Sequence, residues 1–222
     1  DIMAGMYAGT AILAALHERD RTGHGQRIDV PLFDSQVAWL ANQAMNYLVT
    51  GSSPERHGTA HPNIVPYQTF RTLDGELALA VGNDGQFRSC VCAIELPQLA
   101  ADERFTTNAL RLKHRQVLVG LIAERLLTAT TEKWLTSFRE HGVPAGPVND
   151  LAQVFADEQI KARGVQITLP HALSGEVALV ANPIRLSRTP VEYRTAPPML
   201  GEHSAEVLAD WLENQKKADP SA

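Results

Sequence analysis

A mixed α/β fold is predicted for this chain on three observations. Its start carries a small-residue helix pattern, its middle alternates around an Asp-Gly pair, and a run of helical segments follows that pair. The 222 residues are 44% hydrophobic, enough for a sizeable core in one large domain or two smaller ones. The net charge is −5, and the Lys and Arg residues form no run of five. That excludes a general nucleic-acid binder but leaves room for a local grip on a small anion. The two cysteines, Cys90 and Cys92, make a lone C-x-C without the second pair a structural zinc site needs, and fit a reducing, cytoplasmic setting. The longest apolar stretch, in AGTAILAAL, is too short for a membrane span and runs into HERDR. No leader with a cleavage site precedes it, so neither secretion nor membrane insertion is expected.

The first element is a helix from Ile2 to about Arg21, in which Ala4, Gly5, Ala8, Gly9, Ala11, Ala14 and Ala15 permit close approach and Ile12, Leu13 and Leu16 anchor. It is expected to be buried. The glycines of RTGHGQ end it. Ile28, Val30 and Leu32 then alternate with Arg27, Asp29 and Pro31, predicting a short strand that leads into a helix capped near Asp34 or Ser35 and running to Val49. The segment TGSSPERHGTAHPNIVP has no period and reads as a long loop, a kind that is usually functional or disordered. Asp74-Gly75 marks a hairpin between YQTFR and the strand after it.

Helices are expected over NDGQFRSCVCAIEL, LKHRQVLVGLIAERLLTA and TEKWLTSFREHG, the last capped at Thr131 and stopped at Gly142. A proline-bracketed turn, one more helix, and short strands paired across LSGEV come next. A loop then enters a final amphipathic helix, and KKADPSA reads as a frayed end. Domain boundaries are expected within 50–65 and 180–200.

Several residues could carry chemistry. Asp1 opens the first helix, where the positive end of the dipole keeps a carboxylate ionised. An ionised carboxylate can attack an activated acyl group, although Asp is also simply a favoured cap. His57 and His61 have the spacing of a metal pair on a helix, but Pro54, Gly58 and Pro62 argue against a helix there and no third ligand is evident. No metal is expected. In a loop, Gly58 would let backbone N–H groups approach an anion, and His61 could donate a hydrogen bond to a carboxylate; the alternative is a surface loop with incidental histidines. GNDGQF lacks phosphate-loop spacing. Trp39, Trp134 and Trp211 fall at apolar helical positions and read as packing residues. Ser35 and His203 have no third partner, and no G-x-S-x-G occurs.

The stretch DIMAGMYAGTAILAALHERDRTGHGQRIDVPLFDS resembles the defining segment of the class III CoA-transferases (CaiB/BaiF type), in which an Asp opens a Gly- and Ala-rich helix ending in Arg and T-G-x-G-Q. Asp1, Gly5, Ala14, Ala15, Leu16, Arg19, Thr22, Gly23, Gly25 and Gln26 carry the resemblance. HGVPAGPVND matches the family's G-[VI]-P-x-G-P-[VI] turn, and APPMLGEHSAEVL its P-x-L-G-[EQ]-H tail. Within the family the chain is most similar to the branch represented by succinate–hydroxymethylglutarate CoA-transferase, which moves CoA between dicarboxylic acids.

The resemblance implies the C-terminal part of a class III CoA-transferase fold. Residues 1–52 would be the end of a large open α/β domain, 53–180 a smaller α/β domain, and 181–222 a return onto the first. It implies Asp1 as nucleophile, an aspartyl-CoA thioester reached through mixed anhydrides, and acyl-CoA and carboxylate substrates, with coenzyme A entering as substrate thioester rather than cofactor. It also implies an interlocked homodimer. In family members a glycine-rich loop of the small domain closes over the acyl group; here Gly58, Thr59, Ala60 and His61 stand at that place as substrate-binding candidates. Because the glycine run is missing, a different acyl pocket is expected, one that reads a second carboxylate. Two other readings are an acyl-CoA racemase on the same fold, with the Asp as acid or base, and a non-catalytic packing or dimerisation unit.

Overall fold

The computed structural model describes residues 1–218. In chain order it holds α1 (Ile2–Thr22), α2 (Leu32–Ala38), α3 (Asn42–Thr50), β1 (Tyr67–Arg71), β2 (Glu76–Ala80), α4 (Asp84–Ala93) and a 3-10 turn (Pro97–Ala100). There follow α5 (Asn108–Lys113), α6 (Arg115–Leu126), α7 (Thr131–Glu140), β3 (Ala145–Pro147), α8 (Leu151–Ala156), α9 (Glu158–Ala162), β4 (Gln166–His171), β5 (Gly175–Val180) and α10 (Ser204–Ala218). The class is mixed α/β, as expected. Of the segment expected to fray, Lys216–Ala218 continue α10 and residues 219–222 lie outside the described residues.

The first helix forms and stops where the glycines predict: Gly23 takes φ 79° and its N–H bonds the Arg19 carbonyl at 2.8 Å. It is not buried, which corrects the expectation. Only Ala4 is covered, while Ile2 and Leu13 are 79% and 69% exposed, because small residues permit a close approach but do not supply the partner. The expected strand over Ile28–Leu32 is also absent: residues 24–31 join no sheet among the described residues, and α2 begins at Leu32, ahead of the expected cap. Alternation makes a strand only when a neighbour takes its backbone hydrogen bonds. The single helix expected up to Val49 is broken into α2 and α3 at Ala41, φ 46°. Trp39 and Leu40 beside the break are about half exposed, so no packed face holds one continuous register.

The hairpin is present. Tyr67 stands opposite Ala80 and Arg71 opposite Glu76, so the turn is the four residues from Thr72 to Gly75 rather than Asp74-Gly75 alone. Asp74 reaches out of that turn to α7, where its Oδ1 accepts the Thr131 N–H at 2.8 Å and the Thr131 hydroxyl at 3.0 Å. With Thr131 so engaged, the cap of α7 is Thr130, one residue earlier than expected; its hydroxyl accepts the Lys133 N–H. Past Gly142 (φ 66°) the proline-bracketed turn becomes β3, which pairs antiparallel with β2, Leu77 opposite Pro147. An edge strand tolerates that proline because its outer side needs no donor.

Among the described residues, every buried apolar side chain apart from Ala4 lies between Val65 and Val143. Leu77, Leu79 and Val81 come from β2 and its end, Phe87, Val91 and Ile94 from α4 and its end, Leu118, Ile122 and Leu126 from one stripe of α6, and Trp134 and Phe138 from α7. Trp134 donates its ring N–H to the Leu126 carbonyl at 2.8 Å, as a buried indole must find an acceptor. The other two tryptophans expected to pack, Trp39 and Trp211, are 55% and 67% exposed. Beyond β3 the single expected helix is two, since Asp157 turns extended and accepts the N–H groups of Gln159 and Ile160 to start α9. The strands expected across LSGEV pair as β4 and β5.

Candidate active site

Asp1 stands exposed before α1. Its main-chain carbonyl accepts the Gly5 N–H at 2.8 Å, but its side chain makes no capping hydrogen bond. The carboxylate is therefore not spent on the helix, and the cap reading loses its main support. It joins no ion pair among the described residues either.

The loop from His57 to Pro66 is built much more tightly than its composition implies. Gly58 has φ 59°, a conformation that a side chain would strain, and Ala60 closes a turn by donating to the His57 carbonyl at 3.0 Å. Thr59 is occupied: its Oγ1 lies 2.9 Å from the Thr69 hydroxyl and accepts the Thr69 N–H at 3.2 Å, tying the loop to β1. His61 donates its backbone N–H to the Tyr67 carbonyl at 2.8 Å, and its ring stacks on that of Tyr67, centroids 5.2 Å apart and 13° from parallel.

Three side chains of α5 and α6 hold the loop from below. Asn108 accepts the Val65 N–H at 3.2 Å and donates to the Asn63 carbonyl at 2.8 Å. Arg111 is wholly buried; it donates to the carbonyls of Val65 (2.8 Å) and Phe105 (3.0 Å), pairs with Asp84 at 2.8 Å, and lies over the Phe87 ring. A charge so enclosed is tolerable because each guanidinium nitrogen has a partner and one face lies on an aromatic ring. Arg115 donates to the carbonyls of His61 and Pro62, both at 2.8 Å, and its burial lowers its pKa, although a guanidinium stays charged. These residues went unnoticed in the sequence. The local sequence carries little signal for them: Arg111 lies on the short helix α5, and its partners Val65 and Asp84 stand far from it in the chain.

The N-terminal helices touch the loop through α3, where Asn63 donates its side-chain amide to Asn46 at 3.2 Å. No described hydrogen bond or ion pair links Asp1 to Gly58, Thr59, Ala60 or His61. Nor do His57 and His61 belong to a metal cluster: among the described residues no three His, Cys, Asp or Glu side chains gather. GNDGQF turns its donors inward, with the Gly82 N–H on the Gln86 side chain at 2.7 Å and Asn83 capping α4. Burial pushes the Cys90 thiol up to about 12, whereas Cys92 is exposed. Ser35 donates to the Pro31 carbonyl at 2.8 Å, and no described helix is long and apolar enough to cross a membrane.

The fold matches that of a CaiB/BaiF protein from Brucella suis, 45% identical, with a TM-score of 0.76 over 94% of this chain and 54% of that one. Rv3272 of Mycobacterium tuberculosis, 23% identical, shares the fold with a TM-score of 0.77 over 91% of this chain. The pattern of CoA-transferase family III matches residues 1–204, and the chain belongs to that family. Similar curated proteins include succinate–glutarate CoA-transferase of Agrobacterium fabrum, 44% identical over 99% of this chain and 55% of that protein. The human succinyl-CoA:glutarate CoA-transferase is 37% identical over 98% of this chain and 50% of its own length. The chain spans about half the length of the curated relatives it matches.

Proposed function

We propose that the protein to which this chain belongs moves CoA from an acyl-CoA thioester to a dicarboxylic acid, with Asp1 as nucleophile. The observation that carries this reading is the 44% identity to a succinate–glutarate CoA-transferase across 99% of the chain. A carboxylate free of capping duty at the head of α1 is compatible with it.

The chemistry needs no proton transfer. An Asp1 oxygen attacks the thioester carbonyl, and the tetrahedral adduct expels CoA thiolate to leave a mixed anhydride. The thiolate attacks the aspartyl carbonyl and expels the donor acid, leaving aspartyl-CoA. The acceptor carboxylate attacks that thioester, releasing the thiolate and forming a second anhydride. Thiolate attack on the acceptor acyl carbon then yields the new acyl-CoA and regenerates Asp1. Covalent catalysis of this kind divides one difficult exchange into easier steps. Anhydrides hydrolyse readily, so water must be excluded, and the pinned 57–66 loop is the segment this reading assigns to the cover.

In the same reading residues 1–52 and 181–222 belong to the large domain and 53–180 to the small one, and two chains interlock as a cytoplasmic homodimer. CoA serves as substrate, with no resident cofactor. The test is to incubate the full-length protein with succinyl-CoA and glutarate and follow glutaryl-CoA. Asp1→Ala should lower turnover at least about a thousandfold without loss of fold, since residues acting as nucleophile dominate such rates. Retained turnover, or α-carbon deuterium exchange without CoA exchange, overturns the reading.

A further inference from the structure

The His61 ring is held at Nδ1 and on one face. The Asn63 backbone N–H points at His61 Nδ1 at 3.1 Å. A backbone amide can only donate, so Nδ1 carries the lone pair and the proton of the neutral ring sits on Nε2. One ring face is stacked on Tyr67. The main chain is held on both sides of the residue, by the Tyr67 carbonyl through its N–H and by Arg115 through its carbonyl and that of Pro62. Asn63, which supplies the orienting N–H, is itself held by Asn108 through its carbonyl and bonded to Asn46 through its side chain. What remains is a single N–H donor at Nε2, on a half-buried ring, without a protein partner among the described residues.

Resting on the transferase reading, we propose that His61 is a specificity residue whose Nε2–H binds the distal carboxylate of the dicarboxylic acid, the one that does not enter the anhydride, and that Arg115 and Tyr67 are its positioning residues. Succinate and glutarate, the acids in the names of the two relatives, each carry such a second carboxylate. A fixed donor with no protein acceptor among the described residues suits it, because a carboxylate accepts strongly and the donor loses little freedom on binding. Thr59, the other polar candidate in the loop, has its hydroxyl committed to β1, which leaves His61 as the free polar side chain of the Gly58–His61 stretch.

The test compares glutarate with pentanoate as acceptors, at saturating succinyl-CoA, in the full-length enzyme. A ping-pong reaction makes kcat/KM for the acceptor independent of the donor half. The wild type should prefer glutarate. His61→Ala should cut that preference about tenfold or more, chiefly through KM for glutarate, and His61→Gln should restore part of it because its amide can stand near the Nε2 position. Arg115→Met should lower the same preference with less effect on pentanoate, a split that general loosening of the fold would not produce. An unchanged glutarate-to-pentanoate ratio in His61→Ala overturns the proposal while leaving the transferase reading intact. An equal loss of kcat for both acceptors also overturns it, since His61 would then serve the reacting carbonyl. Absence of any CoA exchange in the wild type removes the transferase reading and this proposal together.

Discussion

Residues 65–143 and the three helices before Gly51 both carry apolar side chains at helical spacing, yet only the first region closes over them. Between Val65 and Val143 the apolar positions of one β-sheet and four helices converge, and Trp134, Phe138, Leu118 and Ile122 are nearly or wholly inaccessible. In α1 to α3 the equivalent side chains Leu13, Phe33 and Leu48 remain about 70% exposed or more. Spacing tells which face of a helix seeks cover, and the presence of a second face at the right distance tells whether it finds any. The relatives are about twice as long as this chain, so chain is available in them to cover such a face.

The largest expected effect sets the two regions directly against each other. Trp134→Ala should destabilise the central region by about 3–5 kcal/mol, whereas Leu13→Ala in the same 222 residues should change stability by no more than about 0.5 kcal/mol. Urea unfolding followed by tryptophan-independent circular dichroism measures both; similar losses would break the comparison. Next, Arg111→Met should cost about 2–3 kcal/mol, because it strands the buried carbonyls of Val65 and Phe105. Hydrogen exchange should then rise at Val65 and its neighbours before it rises in β2.

A smaller effect is expected in acid. Hydrogen bonds from the Thr131 N–H and hydroxyl hold Asp74 below its usual value, and hydrogen bonds from Arg104 hold Asp102 down to about 2. Both folded values are depressed, so their stabilisation is present above the unfolded carboxylate range near 4 and is lost as pH falls through the folded values. The urea midpoint should thus drop between about pH 4 and 2. Asp74→Asn should flatten part of that slope, by a small amount because the group is exposed.

The smallest effect is the sharpest probe of the exposed region. A Cβ at Gly9 meets nothing within 4 Å, so Gly9→Ala in this chain should stabilise α1 by about 0.5–1 kcal/mol. In the full-length protein the same substitution should destabilise if α1 makes the close approach its small residues allow. Equal stabilisation in both would mean that this face stays open.

Much of the local structure around the candidate site was legible because local chemistry dictates it. Asp1 at a helix start, the glycine stop at Gly23, the loop before Tyr67, and the hairpin at Asp74 each follow from residue types acting over a few neighbours. The family motifs were likewise readable, though the G-V-P-A-G-P turn concealed β3, whose pairing depends on β2 lying alongside. The grip on the loop was not readable in the same way. Asn108, Arg111 and Arg115 lie more than forty residues from the loop carbonyls and N–H groups they satisfy, and nothing local records such pairing.

By itself the sequence determined the helical and extended propensities, the glycine stops at Gly23 and Gly142, and the presence of a histidine-bearing loop before Tyr67. Only the tertiary structure decided which apolar faces are covered, where an expected strand lacks a partner, and which nitrogen of His61 holds its proton. The reason is physical. Backbone conformation is set by sterics and hydrogen bonds within a few residues, whereas burial and a side chain's protonated edge are set by groups that folding brings from elsewhere in the chain.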